Sequence, residues 1–238
     1  MYLDVTELRD FYDGPLGRIA ARHIRRNIRR IWPDVRQMSL LGLGYATPYL
    51  DRFRDEAERV LALMPAQQGV IHWPRDNRNL VALGDELELP FLDASIDRIL
   101  LVHAVESAGE AHDLLREIWR VLASGGRLLA VVPNRSGLWA RRELTPFGHG
   151  RPYSKGQLNR LFAETMFTPL QWSSALHVPP SEWRMMQRLL ANLEPIGATW
   201  WSNFAGVHIV EAEKRIYAAN SKRAQRRLAA KPALIPTS

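Results

Sequence analysis

The chain has 238 residues, 46% of them hydrophobic and 24% charged, with 32 Lys and Arg against 25 Asp and Glu for a formal charge of +7. That much apolar sequence fits one domain with a full core and excludes a disordered chain. With no cysteine, disulfides, thiolate zinc sites and a cysteine nucleophile are excluded as well. The opening stretch MYLDVTELRDFYDG is mixed polar and acidic, without the apolar core of a signal sequence, and no apolar run approaches the ~20 residues that span a bilayer. The expected location is cytoplasmic.

In chain order, residues 15–32 read as a helix, with Pro15 at its first turn and Pro33 stopping it. A strand follows over 37–43, then a helix over 47–57 with Thr47 as candidate N-cap and Pro48 at the first helical position. RVLALM, LVALGD and IDRILLVHA read as three strands, each apolar on both faces as in a sheet covered by helices. A helix over 110–122 buries Leu114, Leu115, Ile118, Val121 and Leu122, and the turn Ser124-Gly125-Gly126 leads into the strand RLLAVVP. Beyond a loop over 133–154 come a helix near 154–165, a strand near 168–177, a helix over 181–193 and a last strand GVHIVEAEKRIYA. Such alternation favours a mainly parallel α/β sheet.

Positive charge is concentrated in two places. ARHIRRNIRRIW sets Arg22, Arg25, Arg26, Arg29 and Arg30 at spacings of three and four, which on a helix makes one basic face opposite Ile24, Ile28 and Ile31. Lys222, Arg223, Arg226, Arg227 and Lys231 populate a basic tail over 219–238. Helix 15–32 and this tail are candidate contacts for an acidic partner: a protein, an RNA or an anionic membrane. The ordinary alternative is a solvated charged face.

In MSLLGLGYATPYL an apolar strand runs into Gly42 and Gly44 and then a helix, the place where an open α/β sheet receives its ligand. Together with LVALGDELELPF, SIDRILLVHAVE and IWRVLASGGRLLAVVPN, the order and spacing resemble the class I S-adenosylmethionine-dependent methyltransferases, of the type 11 methyltransferase-like group, over residues 37–170 with a continuation to 218. The resemblance implies a Rossmann-like seven-stranded, mainly parallel sheet with helices on both faces. Residues 1–36 would then be a helical extension, 37–218 the methyltransferase-like domain and 219–238 the tail. S-adenosylmethionine is the implied cofactor. Gly42, Leu43, Gly44, Tyr45 and Ala46 would wrap its methionine part. Asp85, with Glu86 and Leu87, would receive the adenine. Val102, His103, Ala104 and Glu106 would floor the reacting centre, and Asn134, Arg135, His149, Arg151 and Tyr153 would face the acceptor. His103 is the candidate catalytic base, because imidazole titrates near neutrality.

Two positions depart from the family pattern. Leu40 stands where an acid usually serves the cofactor's ammonium group, and the second strand ends in LALMPAQQG without the acid that clamps the ribose. Losing a charge-assisted bidentate contact costs on the order of 1.5–3 kcal/mol. Met64 and Gln67 remain as cofactor contacts at that place, Gln67 or Gln68 could substitute neutral hydrogen bonds, and Trp73 could stack on adenine. The same missing acid, with Thr47 at the third small position, argues against nicotinamide cofactors. There is no G-x-S-x-G elbow, no Walker lysine and no histidine pair at zinc-ligand spacing, so no metal site is expected. Two readings follow: a methyltransferase acting on an unidentified acceptor, or a methyltransferase-fold protein without catalysis that serves as a binding or regulatory partner. A homodimer is compatible with either.

Overall fold

A computed structural model describes residues 2–141, 145–177, 180 and 205–215. The strands are β1 Ser39–Gly44, β2 Arg59–Pro65, β3 Val81–Gly84, β4 Ile96–Val102, β5 Leu122–Pro133, β6 Phe167–Ala175 and β7 Val207–Lys214. They form one seven-stranded sheet in the order β3-β2-β1-β4-β5-β7-β6. β1 to β5 pair in parallel, and β7 runs antiparallel to both β5 and β6. The expected Rossmann-like, mainly parallel architecture is therefore present. The strand order reverses between β1 and β4, so the crevice of an open sheet falls at the carboxyl ends of these two parallel strands.

Helices α1 Val5–Asp13, α2 Pro15–Ile31 and α3 Thr47–Leu50 cover one face, while α4 Ala111–Val121 and α5 Lys155–Glu164 cover the other. On the first face Ile24, Ile28 and Trp32 pack with Leu40, Leu100 and Leu129. On the second, Leu114, Ile118, Leu158 and Phe162 pack with Leu41, Leu43 and Leu101. Burying both faces explains why β1 has no exposed residue. The end of α2 is fixed to the sheet by the buried carboxylate of Glu211, which accepts Trp32 Nε1 at 3.0 Å, Arg127 at 3.3 Å and Gln171 Nε2 at 2.8 Å. α5 starts with a capping box in which Ser154 and Gln157 satisfy each other's backbone N–H groups.

Several sequence expectations need correction. The helix expected over 47–57 is only α3 and a 3₁₀ turn, Asp51–Phe53. Tyr49, Leu50 and Phe53 anchor that turn in the core, and the bridge between Arg36 and Ala57 then draws the chain toward β2. Thr47 is not the cap; Ala46 holds that position and makes no side-chain cap bond. β3 is not covered on both faces, since Ala82 and Leu83 are exposed on an edge strand paired with β2 alone. Ser124-Gly125-Gly126 is not a separate turn but lies within β5, where the register with β4 shifts between Ile96 and Arg98. α1 is a distinct helix, capped by Asp4 and closed by Gly14, within what reads in sequence as an extension with one helix. The expected helix over 181–193 and the basic tail lie outside the described residues.

Candidate functional site

Gly44 ends β1 with φ +80°, and a Cβ there would stand 2.3 Å from the Val102 carbonyl oxygen. The next residue ties the loop to β4 through Tyr45 N–H donating to Val102 O at 2.8 Å. Gly42 serves packing instead: a Cβ would meet Leu50 Cδ1 at 2.6 Å and Ala46 Cβ at 2.7 Å. Leu43 faces the opposite core, among Leu41, Leu63 and Leu101. Leu40 is a core residue packed under α2. β1 thus brings a tight backbone turn to the crevice and no charge.

At the end of β2, Met64 is buried and Gln67 is exposed. Gln68 is the inward residue, 1% exposed, and neither its amide oxygen nor its nitrogen has a hydrogen-bond partner among the described residues. Its backbone carbonyl accepts Val5 N–H at 2.8 Å, so α1 begins directly against it. At the end of β3, Asp85 is exposed and its Oδ1 accepts the Leu87 N–H at 2.8 Å. Leu87 is itself exposed. Glu86 turns inward and accepts the Tyr2 hydroxyl at 3.0 Å. Burial and the Glu86 carboxylate push the Tyr2 phenol up, so it stays protonated and donates. Trp73 is packed in the core beside this edge, its Nε1 donating to Asp51 and Arg54 lying over its ring.

Past β4, His103 takes the left-handed conformation, φ +53°, and is buried. Its Nε2 lies 2.8 Å from the Tyr12 hydroxyl of α1. Tyr49 donates its hydroxyl proton to the Tyr12 oxygen at 3.0 Å, which leaves the Tyr12 proton for His103 Nε2. Burial holds the Tyr12 phenol well above its ordinary value, with Tyr49 adding to the shift, so that proton stays on oxygen. This assigns Nε2 as acceptor and puts the imidazole proton on Nδ1, 3.2 Å from Glu106 Oε1. The contact is close enough for electrostatic attraction, yet it lacks hydrogen-bond alignment, and neither Glu106 oxygen has a hydrogen-bond partner among the described residues. Tyr12 stacks on Tyr45 with ring centroids 5.5 Å apart, and Phe147 lies against the imidazole at 4.9 Å. α1 and the residues before it therefore roof the crevice: Val5 meets the β2 exit, Tyr2 the β3 exit and Tyr12 the β4 exit.

The residues after β5 divide. Asn134 is buried; its Nδ2 donates to Ala205 O at 2.8 Å and its Oδ1 accepts Ser136 N–H at 3.1 Å, so its amide locks the β5 exit to the start of β7. Tyr153 pairs with it as an isolated bridge and sits in the core on the α4 and α5 face. Arg151 is exposed over the Tyr153 ring, while its N–H donates to Glu106 O at 2.7 Å. Arg135 is exposed and His149 half-buried. Glu106, His103, Tyr12 and Tyr45 converge, and Gln68 meets the other end of α1 through Val5. Tyr2, Tyr12 and Tyr49 escape sequence reasoning, although Val5, Leu8 and Tyr12 follow the period of a buried helix face.

Residues 41–130 match the family model described as a methyltransferase domain. Over that stretch the chain resembles the class I methyltransferases. The model spans β1 through most of β5, the strands whose ends form the crevice. S-adenosylmethionine is the methyl donor of this family. A probable S-adenosylmethionine-dependent methyltransferase of Mycolicibacterium smegmatis is 31% identical over 132 residues, covering 53% of this chain and 49% of that protein. The uncharacterized protein YafS of Escherichia coli is 36% identical over 94 residues, covering 39% of this chain and 37% of its own. The chain thus aligns with about half, or less, of the length of these relatives. Among solved structures, an S-adenosylmethionine-dependent methyltransferase of Thermotoga maritima, described as a possible histamine N-methyltransferase, superposes with a TM-score of 0.62. The superposition covers 89% of this chain and 96% of that one at 17% identity, so it bears on fold alone. Among the described residues, no helix is long and apolar enough to cross a membrane.

Proposed function

We propose that this chain transfers the methyl group of S-adenosylmethionine to an acceptor held beside His103. The observation that carries the reading is the state of two buried side chains, one near each end of α1. Glu106 is 2% exposed and Gln68 1% exposed, and none of their four terminal atoms has a hydrogen-bond partner among the described residues. Leaving a polar group buried and unpaired costs about 1–3 kcal/mol, and more for a charge. Glu211, equally buried in the same molecule, satisfies its carboxylate with three donors. A spare carboxylate beside His103, near the faces of Tyr12, Tyr45 and Phe147, with a spare amide at the start of α1, suits a ligand that has both cationic groups and hydroxyls. S-adenosylmethionine has a sulfonium, an ammonium and a ribose.

When bound, the cofactor supplies a methyl group already activated by positive sulfur. Gln68 would take the ribose hydroxyls in place of the missing strand-two acid, with Asp85 beside the adenine. Gly44 and Tyr45 let the backbone pass close beneath the methionine part, and Glu106 presents negative charge to the cation. α1 excludes water from the crevice, which leaves alignment as the main catalytic contribution. His103 holds an unprotonated Nε2 that can accept a proton from an acceptor whose nucleophilic atom must lose one. Tyr12 occupies that nitrogen in the structure, so acceptor and Tyr12 hydroxyl share it or exchange there.

Calorimetric titration with S-adenosylmethionine and S-adenosylhomocysteine tests the reading. Gln68→Ala, which removes neutral hydrogen bonds worth about 0.5–1.5 kcal/mol, should weaken binding roughly two- to tenfold. Glu106→Gln should weaken the cationic donor about tenfold or more and its neutral product less. A folded wild-type sample that takes up neither compound overturns the proposal.

A further inference from the structure

The charge of α2 has a destination in the fold. Its six arginines, with no acidic residue among them, line one wall of a groove of about 1590 Å³. The turn carrying Arg52 and Arg54 and the loop carrying His72 and Arg75 form the opposite wall. That volume exceeds the roughly 300–1,000 Å³ of small-molecule sites. Arg29, Arg54 and Arg75 pair with Glu56, Asp51 and Asp13. Arg22, Arg26 and Arg30 are exposed and have no carboxylate within ion-pair distance among the described residues. Spaced four residues apart, they repel one another along the helix at steps of about 6 Å, an arrangement that costs helix stability and is relieved by an external polyanion.

We propose that this groove is a docking surface for single-stranded RNA, whose phosphodiester backbone runs along Arg22, Arg26 and Arg30. A membrane is disfavoured because an interfacial helix needs an apolar face to insert, and the apolar face of α2 is spent on the core: Ala20, Ala21, Ile24 and Ile28 are buried, with Leu16 and Ile31 half-buried against the same cluster. Duplex DNA is disfavoured because the basic helix lies along a concavity, where a backbone can track, with its far side committed to the core and no element free to enter a major groove. Single strands are the usual form of RNA targets. The groove reaches Tyr12 and Tyr45, the two rings stacked beside His103, so a strand held in it ends at the methyl-transfer crevice. Docking stands independently of catalysis; that the RNA carries the methyl acceptor rests on the methyl-transfer reading.

The test uses the full chain and a fluorescein-labelled 20-nucleotide RNA of mixed sequence, with fluorescence anisotropy read from 50 to 300 mM salt. A DNA oligonucleotide of the same sequence, a duplex RNA and phosphatidylglycerol vesicles serve as comparison arms. Arg22→Gln/Arg26→Gln/Arg30→Gln should bind the single-stranded RNA at least tenfold more weakly. Its slope of log affinity against log salt should be shallower by about 2, as three lost phosphate contacts require. The charge-reversed Glu triple should bind more weakly still. Melting curves and S-adenosylhomocysteine binding should match wild type in the Gln triple, which separates failure at the groove from failure at the crevice. Wild-type RNA affinity and slope in a folded Gln triple overturn the proposal. So does tighter binding of the duplex, the DNA or the vesicles than of the RNA strand.

Discussion

The two glycines of the β1 loop show how one sequence signal hides two physical roles. Gly42 makes room for Leu50 of α3 and for its capping residue Ala46, whereas Gly44 combines φ +80° with a backbone oxygen 2.3 Å from any Cβ. A side chain at position 42 meets movable atoms; one at position 44 meets a main-chain oxygen held in the sheet. Gly44→Ala should therefore cost about 2 kcal/mol or more, from the left-handed backbone and the displaced Val102 carbonyl together. In a chain of this size that is a fall of about 4 °C or more in Tm, and S-adenosylmethionine binding should go with it. A Gly44→Ala protein that melts and binds like wild type would show that the loop has room the geometry denies. The Gly-x-Gly spacing was legible in sequence, and so was the placing of His103 at the β4 exit. That Gln68 rather than Gln67 turns inward was not, because adjacent glutamines in a turn carry no periodicity to separate them.

Elements were legible where hydrophobic period and caps agree. α2, with Pro15 inside and Pro33 beyond it, and α4, with four buried apolar residues on one face, are found within a residue or two of their expected ends. Reading failed where tertiary anchoring outweighs local preference, as in the short α3, or where coverage depends on sheet position, as in edge strand β3. α1 is the element with most consequence for the site, and its nine residues were hidden in a stretch that looks polar. The helix and the residues before it are held by apolar packing of Val5, Leu8 and Tyr12 and by three side-chain hydrogen bonds: Tyr2 to Glu86, Tyr49 to Tyr12, and Tyr12 with His103. Replacing Tyr2 and Tyr12 by Phe keeps the rings and removes those bonds, each worth about 1 kcal/mol. Amides of α1 should then exchange roughly tenfold to a hundredfold faster, while those of β1 and β4 keep their protection. Equal acceleration of α1 and β4 would mean that the roof opens only when the whole molecule unfolds.

At the scale of the whole molecule, stability depends on pH through groups that the fold holds away from their ordinary titration. His208, on β7 between Val132 of β5 and Ser174 of β6, is the clearest. Burial, with the nearby Lys155 charge adding to it, pulls the imidazole down from 6.5 to about 4. The folded protein keeps it neutral in a range where the unfolded chain binds a proton. Its contribution is therefore complete above pH 6.5 and drains away as the pH falls toward 4, at no more than about 1.4 kcal/mol per pH unit. Glu117 acts in a lower window: its bonds with Arg120 and the Leu89 N–H hold its carboxyl below the ordinary range, so its stabilisation is lost only on acidification beyond about pH 4.5. The two can be separated by urea unfolding at a series of pH values. Wild type should lose stability between pH 6.5 and 4.5, whereas His208→Gln, which cannot be protonated there, should hold nearly level over that interval and decline only below it. A variant that keeps the wild-type slope between pH 6.5 and 4.5 would place the acid sensitivity in other groups and remove His208 from the account.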